Sequence, residues 1–187
     1  MAGPESVSER QKARPFAACA EFRVWRSRLR RGSGTPRPDG RLAKPKRVDG
    51  NYYNPVYKDE PGSTWPVYGL GCSRDGKPNA QIHTTSGPYQ LWGSGTAMAN
   101  ATWVHVAVTY DTGIGNNNFR VYQNGLLVNQ GNASGALKTG TGPLHIGGNY
   151  CEWNQDVTIE ELRIWNKALS GSEIQTVMAK TVTARMI

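Results

Sequence analysis

WVHVAVTYDTGIGNNNFRVYQNG, from Trp103 to Gly125, is the stretch that decides the fold class. Between Trp103 and Tyr110 the residues alternate, with Val104, Val106, Val108 and Tyr110 on one side and Trp103, His105, Ala107 and Thr109 on the other. A period of two is the signature of a strand, here one buried on at least one face. Asp111 to Asn118 is rich in Gly and Asn, which tolerate positive φ, and reads as a turn. Phe119 to Tyr122 resumes the alternation, and Asn124-Gly125 closes a hairpin of type I′ onto a returning strand at Leu126 to Val128.

Working outward, 187 residues suit one domain with a real core, and Gly 22 with Pro 11 suits many short strands joined by tight turns. The net charge of +8 is unevenly placed. Residues 1 to 47 hold thirteen Lys and Arg against four Asp and Glu, whereas the remainder holds nine against ten. Basicity therefore belongs to an N-terminal segment, read as a largely disordered tail or linker. With few interleaved aromatics and no helical face, that segment makes nucleic acid an unfavoured partner. Its bias also fits translation of GC-rich sequence out of frame between 15 and 46. Cys19, Cys72 and Cys151 are too few for a disulfide scaffold, and their spacing is not that of zinc ligands; a Cys72–Cys151 bridge is one alternative to three idle thiols. No stretch has the apolar length of a membrane span, and Pro15 to Phe22, interrupted by Glu21, does not read as a signal peptide.

Phe22, Val24 and Trp25 give a weak strand signal crowded by arginines. Tyr52, Tyr53, Tyr57, Trp65 and Tyr68 cluster with Pro55, Pro61 and Pro66 and read as an aromatic loop leading into a strand at Pro66 to Cys72. Asp75-Gly76 centres a hairpin turn to a partner strand at Asn79 to Thr84. Further strands are expected at Gly87 to Leu91, Leu144 to Ile146 and Val157 to Trp165, with a loop from Trp92 to Ala101. Ser170 with Glu173 forms a capping box for a short helix carrying Ile174, Val177 and Met178. Seven or eight closely spaced strands with one helix make an all-β chain, a two-sheet antiparallel jelly-roll sandwich. The expected organisation is a tail at 1–47, a jelly-roll domain at 48–180 and a C-terminal tail at 181–187.

Four motifs in order, WVHVAVTYD at Trp103, FRVYQNG at Phe119, LHIGGN at Leu144 and IEELRIWNKALSGSEI at Ile159, resemble the laminin-G-like jelly-roll domains of the concanavalin A-like lectin/glucanase superfamily. The resemblance covers roughly Leu42 to Met178. It implies a two-sheet jelly roll whose final strand and helix seal one edge. Such domains begin with a first strand for which nothing convincing stands here, so the sandwich is expected to lack it, and the chain reads as an N-terminally damaged fragment of a larger protein.

Some members of that superfamily are glycoside hydrolases, which need two carboxyl groups about 5 Å apart for retention. Their E-x-D-x-x-E strand motif is absent, and Glu160 and Glu161 are adjacent on one strand, so they point to opposite faces. Glu161 and Arg163 read as an exposed ion pair of little energetic weight. His83, His105 and His145 have no Cys or carboxylate at ligand spacing, and His105 reads as a packed core ring. No nucleophile elbow or phosphate loop is present. The expectation is therefore a non-catalytic recognition module for carbohydrate or an extracellular protein, secreted or on the cell surface as part of a larger protein. A structural spacer appended to an enzyme or adhesin is the alternative. Aromatic faces and amides on loops recognise sugars, which nominates Tyr89 and Trp92 beside one loop and Asn149, Tyr150, Trp153 and Asn154 in another. No cofactor is required; calcium at the oxygen-rich turn Asp111 to Asn118 is weighed against a plain turn.

Overall fold

A computed structural model describes residues 16–24, 53–73, 76–93, 95–98, 103–146 and 157–180. In chain order the elements are β1 (Phe16–Val24), β2 (Tyr53–Lys58), β3 (Tyr68–Cys72), β4 (Pro78–Thr84), β5 (Gly87–Leu91), β6 (Trp103–Tyr110), β7 (Phe119–Gln123), β8 (Leu126–Gly131), β9 (Leu144–Ile146), β10 (Val157–Trp165) and α1 (Gly171–Met178). They form two five-stranded sheets, β10-β1-β6-β7-β8 and β5-β4-β3-β2-β9, and every pairing within them is antiparallel. The jelly-roll reading stands.

The hairpin that decides the fold class lies near the middle of the first sheet. Asn124 and Gly125 both take positive φ, 50° and 75°, as a type I′ turn requires. Strand β6 is buried on both faces, because its two sides have different covers. Val104, Val106, Val108 and Tyr110 join Phe119 and Val121 against Val56, Leu70, Ala80 and Ile82 of the second sheet. Ala107, with Tyr122, instead packs beneath Leu169 and Ile174, so α1 seals the outer face of the first sheet. The expected capping box is present: Ser170 Oγ accepts the Glu173 N–H, and the Glu173 carboxylate accepts the Ser170 N–H at 2.8 Å.

Two segments differ from expectation. The weak signal at Phe22 is the end of a nine-residue strand, β1, paired with β10 on one side and β6 on the other. Its local sequence is rich in Ala, with arginines beyond, so its strand character comes from two neighbours distant in sequence. The rest of segment 1–47 lies outside the described residues. The aromatic, proline-bearing stretch read as a loop is in part strand β2. Its register against β3 shifts between Tyr53 and Val56, and Pro55 falls in that irregularity, where a ladder N–H is not required.

Candidate functional site

The second sheet turns one face to the core and the other outward, and the outer face collects polar and aromatic side chains. Leu70, Ala80, Ile82 and Leu91 point inward, so Gly69 and Gly71 on β3, Asn79, Gln81 and His83 on β4, and Gln90 on β5 face out. The register aligns Tyr57 with Gly69, Gly69 with Gln81, and Gln81 with Gln90, while Tyr57 pairs on its other side with His145. Tyr57 and His145 stack, centroids 4.4 Å apart and planes 11° off parallel. Gly69 leaves a gap in this row that the Asn54 amide fills. A Cβ on Gly69 would sit 2.9 Å from Asn54 Nδ2, and that nitrogen donates to Gln81 Oε1 at 3.0 Å. The row thus runs from imidazole through phenol and two amides to Gln90.

Asn54, Asn79 and Gln81 are buried. Neither amide atom of Asn79 has a hydrogen-bond partner, and Asn54 Oδ1 has none. Leaving such atoms unpaired costs about 1–3 kcal/mol each. At the far end of β4, Glu60 lies between the His83 imidazole and the Lys138 ammonium. Its carboxylate is 3.1 Å from His83 Nδ1 and 3.4 Å from Lys138 Nζ. The His83 contact is close enough for an ion pair but is not aligned as a hydrogen bond.

Of the six nominated contact residues, two are described. Tyr89 is half-buried against the core, and its hydroxyl is 2.8 Å from Ser134 Oγ, in the loop between β8 and β9. Trp92 follows β5 at the other end of the sandwich, where its carbonyl accepts from Asn129 Nδ2 at 3.4 Å. The structure therefore does not bring these two to one loop. Asn149, Tyr150, Trp153 and Asn154 lie outside the described residues, as does Cys151; Cys72 is buried in β3. The strands flanking residues 147–156 are β9, which ends, and β10, which begins, at the Trp92 end of the sandwich.

The described carboxylates are committed locally. Asp59 accepts the Glu60 N–H, and Asp111 accepts the Gly113 N–H at 2.8 Å, closing its own turn at the segment weighed for calcium. Glu173 binds Lys167 at 2.6 Å; that ammonium, with the Ser170 N–H and hydroxyl, holds its carboxyl down to about 2. Glu161 binds Arg163 at 2.7 Å, and this pair is largely enclosed rather than exposed, since Arg163 also donates to the Val177 and Lys180 carbonyls. His105 is buried as expected. Desolvation, with the charge of Arg163 adding to it, lowers its pKa to about 4. Among the described residues, no three His, Cys, Asp or Glu are grouped to hold a metal, and no helix is long and apolar enough to cross a membrane.

The amide face was not anticipated. Its signal was present as amides and histidine at every second position of NAQIHT beside the Gly-x-Gly of β3. What the sequence withheld was which strands flank them.

Comparison with known proteins agrees with this architecture. The family model of the concanavalin A-like lectin/glucanases superfamily matches residues 44–175. No curated protein matches the sequence. Among solved structures, the CBM40 of a Ruminococcus gnavus IT-sialidase, bound to alpha2,3 sialyllactose, superposes with a TM-score of 0.54 at 14% identity, covering 91% of this chain and 85% of that one. Domain 4 of AbnA, a GH43 extracellular arabinanase from Geobacillus stearothermophilus in complex with arabinotriose, gives 0.54 at 16% identity, covering 88% and 66%. A heptameric SAP-like pentraxin from Limulus polyphemus gives 0.52 at 14% identity, covering 89% and 70%. At these identities the likeness is one of fold.

Proposed function

The chain belongs to the concanavalin A-like lectin/glucanases superfamily, and from that premise we propose that it is a non-catalytic recognition module for carbohydrate, working outside the cell as part of a larger protein. The observation that carries this reading is the outer face of the second sheet, where stacked Tyr57 and His145 adjoin the Asn54 and Gln81 amides and the unpartnered amide of Asn79. Flat rings supply surfaces for sugar C–H groups, here the half-buried His145 backed by the buried Tyr57, and amides pair with hydroxyls. Trp92, just past the end of β5, is kept as a proposed contact, as are Asn149, Tyr150, Trp153 and Asn154, which lie outside the described residues. Tyr89 is the weakest of the proposed contacts, because its hydroxyl is engaged with Ser134. The local commitment of Asp59, Glu60, Asp111, Glu161 and Glu173 argues for binding over hydrolysis. The two carbohydrate complexes among the structural neighbours support the same class of ligand.

A glycan and extracellular-matrix binding screen with the folded chain tests the proposal. The expected result is saturable binding to at least one glycan without release of reducing sugar, weakened in Trp92→Ala and Trp153→Ala. Binding to no glycan would overturn the carbohydrate reading. Capture of a matrix protein alone would replace it with protein recognition, and no binding at all would leave the role of a structural spacer.

A further inference from the structure

We infer that Glu60 and His83 form a carboxylate–imidazole dyad in which the ring proton sits on Nδ1 and the bare Nε2 is held outward as an acceptor for a glycan hydroxyl, an inference that rests on the recognition reading above. His83 Nδ1 and Glu60 Oε2 are 3.1 Å apart. Both atoms are sealed from water, and neither has a hydrogen-bond partner among the described residues. Each is therefore the group at hand to satisfy the other. A proton on Nε2 would leave two acceptors facing each other at that distance, each unpaired at a cost of about 1–3 kcal/mol. A proton on Nδ1 removes both costs once the ring turns to aim its N–H at the carboxylate. The second oxygen, Oε1, faces the Lys138 ammonium at 3.4 Å, which leaves Oε2 to the imidazole.

Backbone pairing fixes the dyad before any ligand arrives. The His83 N–H donates to the Val67 carbonyl at 2.8 Å, and the His83 carbonyl accepts the Lys138 N–H at 2.9 Å. The next residue, Thr84, bridges to Leu137. The Ser63 N–H closes a turn on the Glu60 carbonyl at 3.0 Å, so all three side chains rise from pinned backbone. A carboxylate on one ring nitrogen sets which nitrogen carries the proton. Nε2 has no hydrogen-bond partner among the described residues but, unlike Nδ1, is not cut off from water, the His83 side chain being 12% exposed. Alternation along β4 puts His83 on the same side as Gln81, roughly 7 Å along the strand. The outer face thus ends in an acceptor near an ammonium. Lys138 opposes a metal ion or an amine there, and a carboxylate offers Nε2 no proton, whereas a neutral hydroxyl donates one.

Long-range proton–nitrogen NMR of the full chain at pH 8 reads the tautomer directly. We expect a protonated Nδ1 and a bare Nε2 in the wild type. The reverse is expected in Glu60→Gln, whose side-chain NH₂ donates to Nδ1 and so moves the ring proton to Nε2. The same samples, with His83→Phe, are then titrated with a panel of neutral oligosaccharides that includes arabinotriose. A bound oligosaccharide should shift the wild-type Nε2 resonance and lose about tenfold in affinity in each folded variant. A protonated Nε2 in the wild type, alone or as imidazolium, overturns the acceptor assignment whatever binds. The expected tautomer with an oligosaccharide that binds without moving Nε2, or equally well to folded Glu60→Gln, overturns the ligand assignment alone and leaves the carbohydrate reading standing. Binding of no oligosaccharide overturns that reading and the hydroxyl assignment with it, while the tautomer still decides the dyad.

Discussion

His105 shows how one residue ties the fold to pH. Its ring is buried and its Nδ1 has no hydrogen-bond partner. Burial and the nearby Arg163 hold its pKa at about 4, against 6.5 for a free histidine. Below pH 6.5 the unfolded chain takes up a proton that the folded chain refuses. Stability is therefore fully present above about pH 6.5 and falls as pH drops toward 4, by up to about 3 kcal/mol for this group. Urea midpoints measured from pH 7.5 to 4 should show that decline in the wild type and a shallower one in His105→Gln; equal slopes would count against this assignment. Gly69 is the matching residue on the second sheet. A methyl group there meets the Asn54 amide at 2.9 Å, so Gly69→Ala should cost about 1–3 kcal/mol through overpacking and weaken glycan binding by displacing Asn54 from Gln81. A folded Gly69→Ala protein with wild-type affinity would separate Asn54 from the site.

At the scale of elements, α1 is the one whose contribution is simplest to measure. Ser170 caps it, and Ile174 is fully buried beside Tyr122 and Leu169. Ser170→Ala should destabilise by about 1 kcal/mol and Ile174→Ala by about 2–5 kcal/mol in chemical denaturation. Near-neutral results would mean that α1 does not seal the first sheet. This helix was legible in the sequence because capping chemistry is local, and β6, β7 and the Asn124-Gly125 turn were legible for the same reason. Strand β1 was obscured because its run of Ala carries little intrinsic strand preference, and only pairing to β6 and β10 makes it one. In β2, Pro55 argued against a strand, yet it sits where the ladder is already interrupted. The amide face was half legible: alternation in β4 put Asn79, Gln81 and His83 on one side, but the neighbours that make them a site are set by long-range register.

At the scale of the whole molecule, the described residues leave four edge strands, and each is blunted. Strand β5 carries Pro88, β9 has only three residues, and β8 shifts register against β7 after Val121. In β10, Glu161 takes a φ of 52° where the pairing to β1 slips. Such devices oppose edge-to-edge association, which leaves the outer face of the second sheet as the surface through which this account has the domain meet its ligand. The most direct measurement is heteronuclear NMR of the side-chain amides and the Trp92 indole while a glycan from the binding screen is titrated in. The account predicts saturable shifts of the Asn54, Asn79 and Gln81 NH₂ resonances together with the Trp92 Nε1–H. Glycan binding that leaves those four groups unperturbed would contradict it.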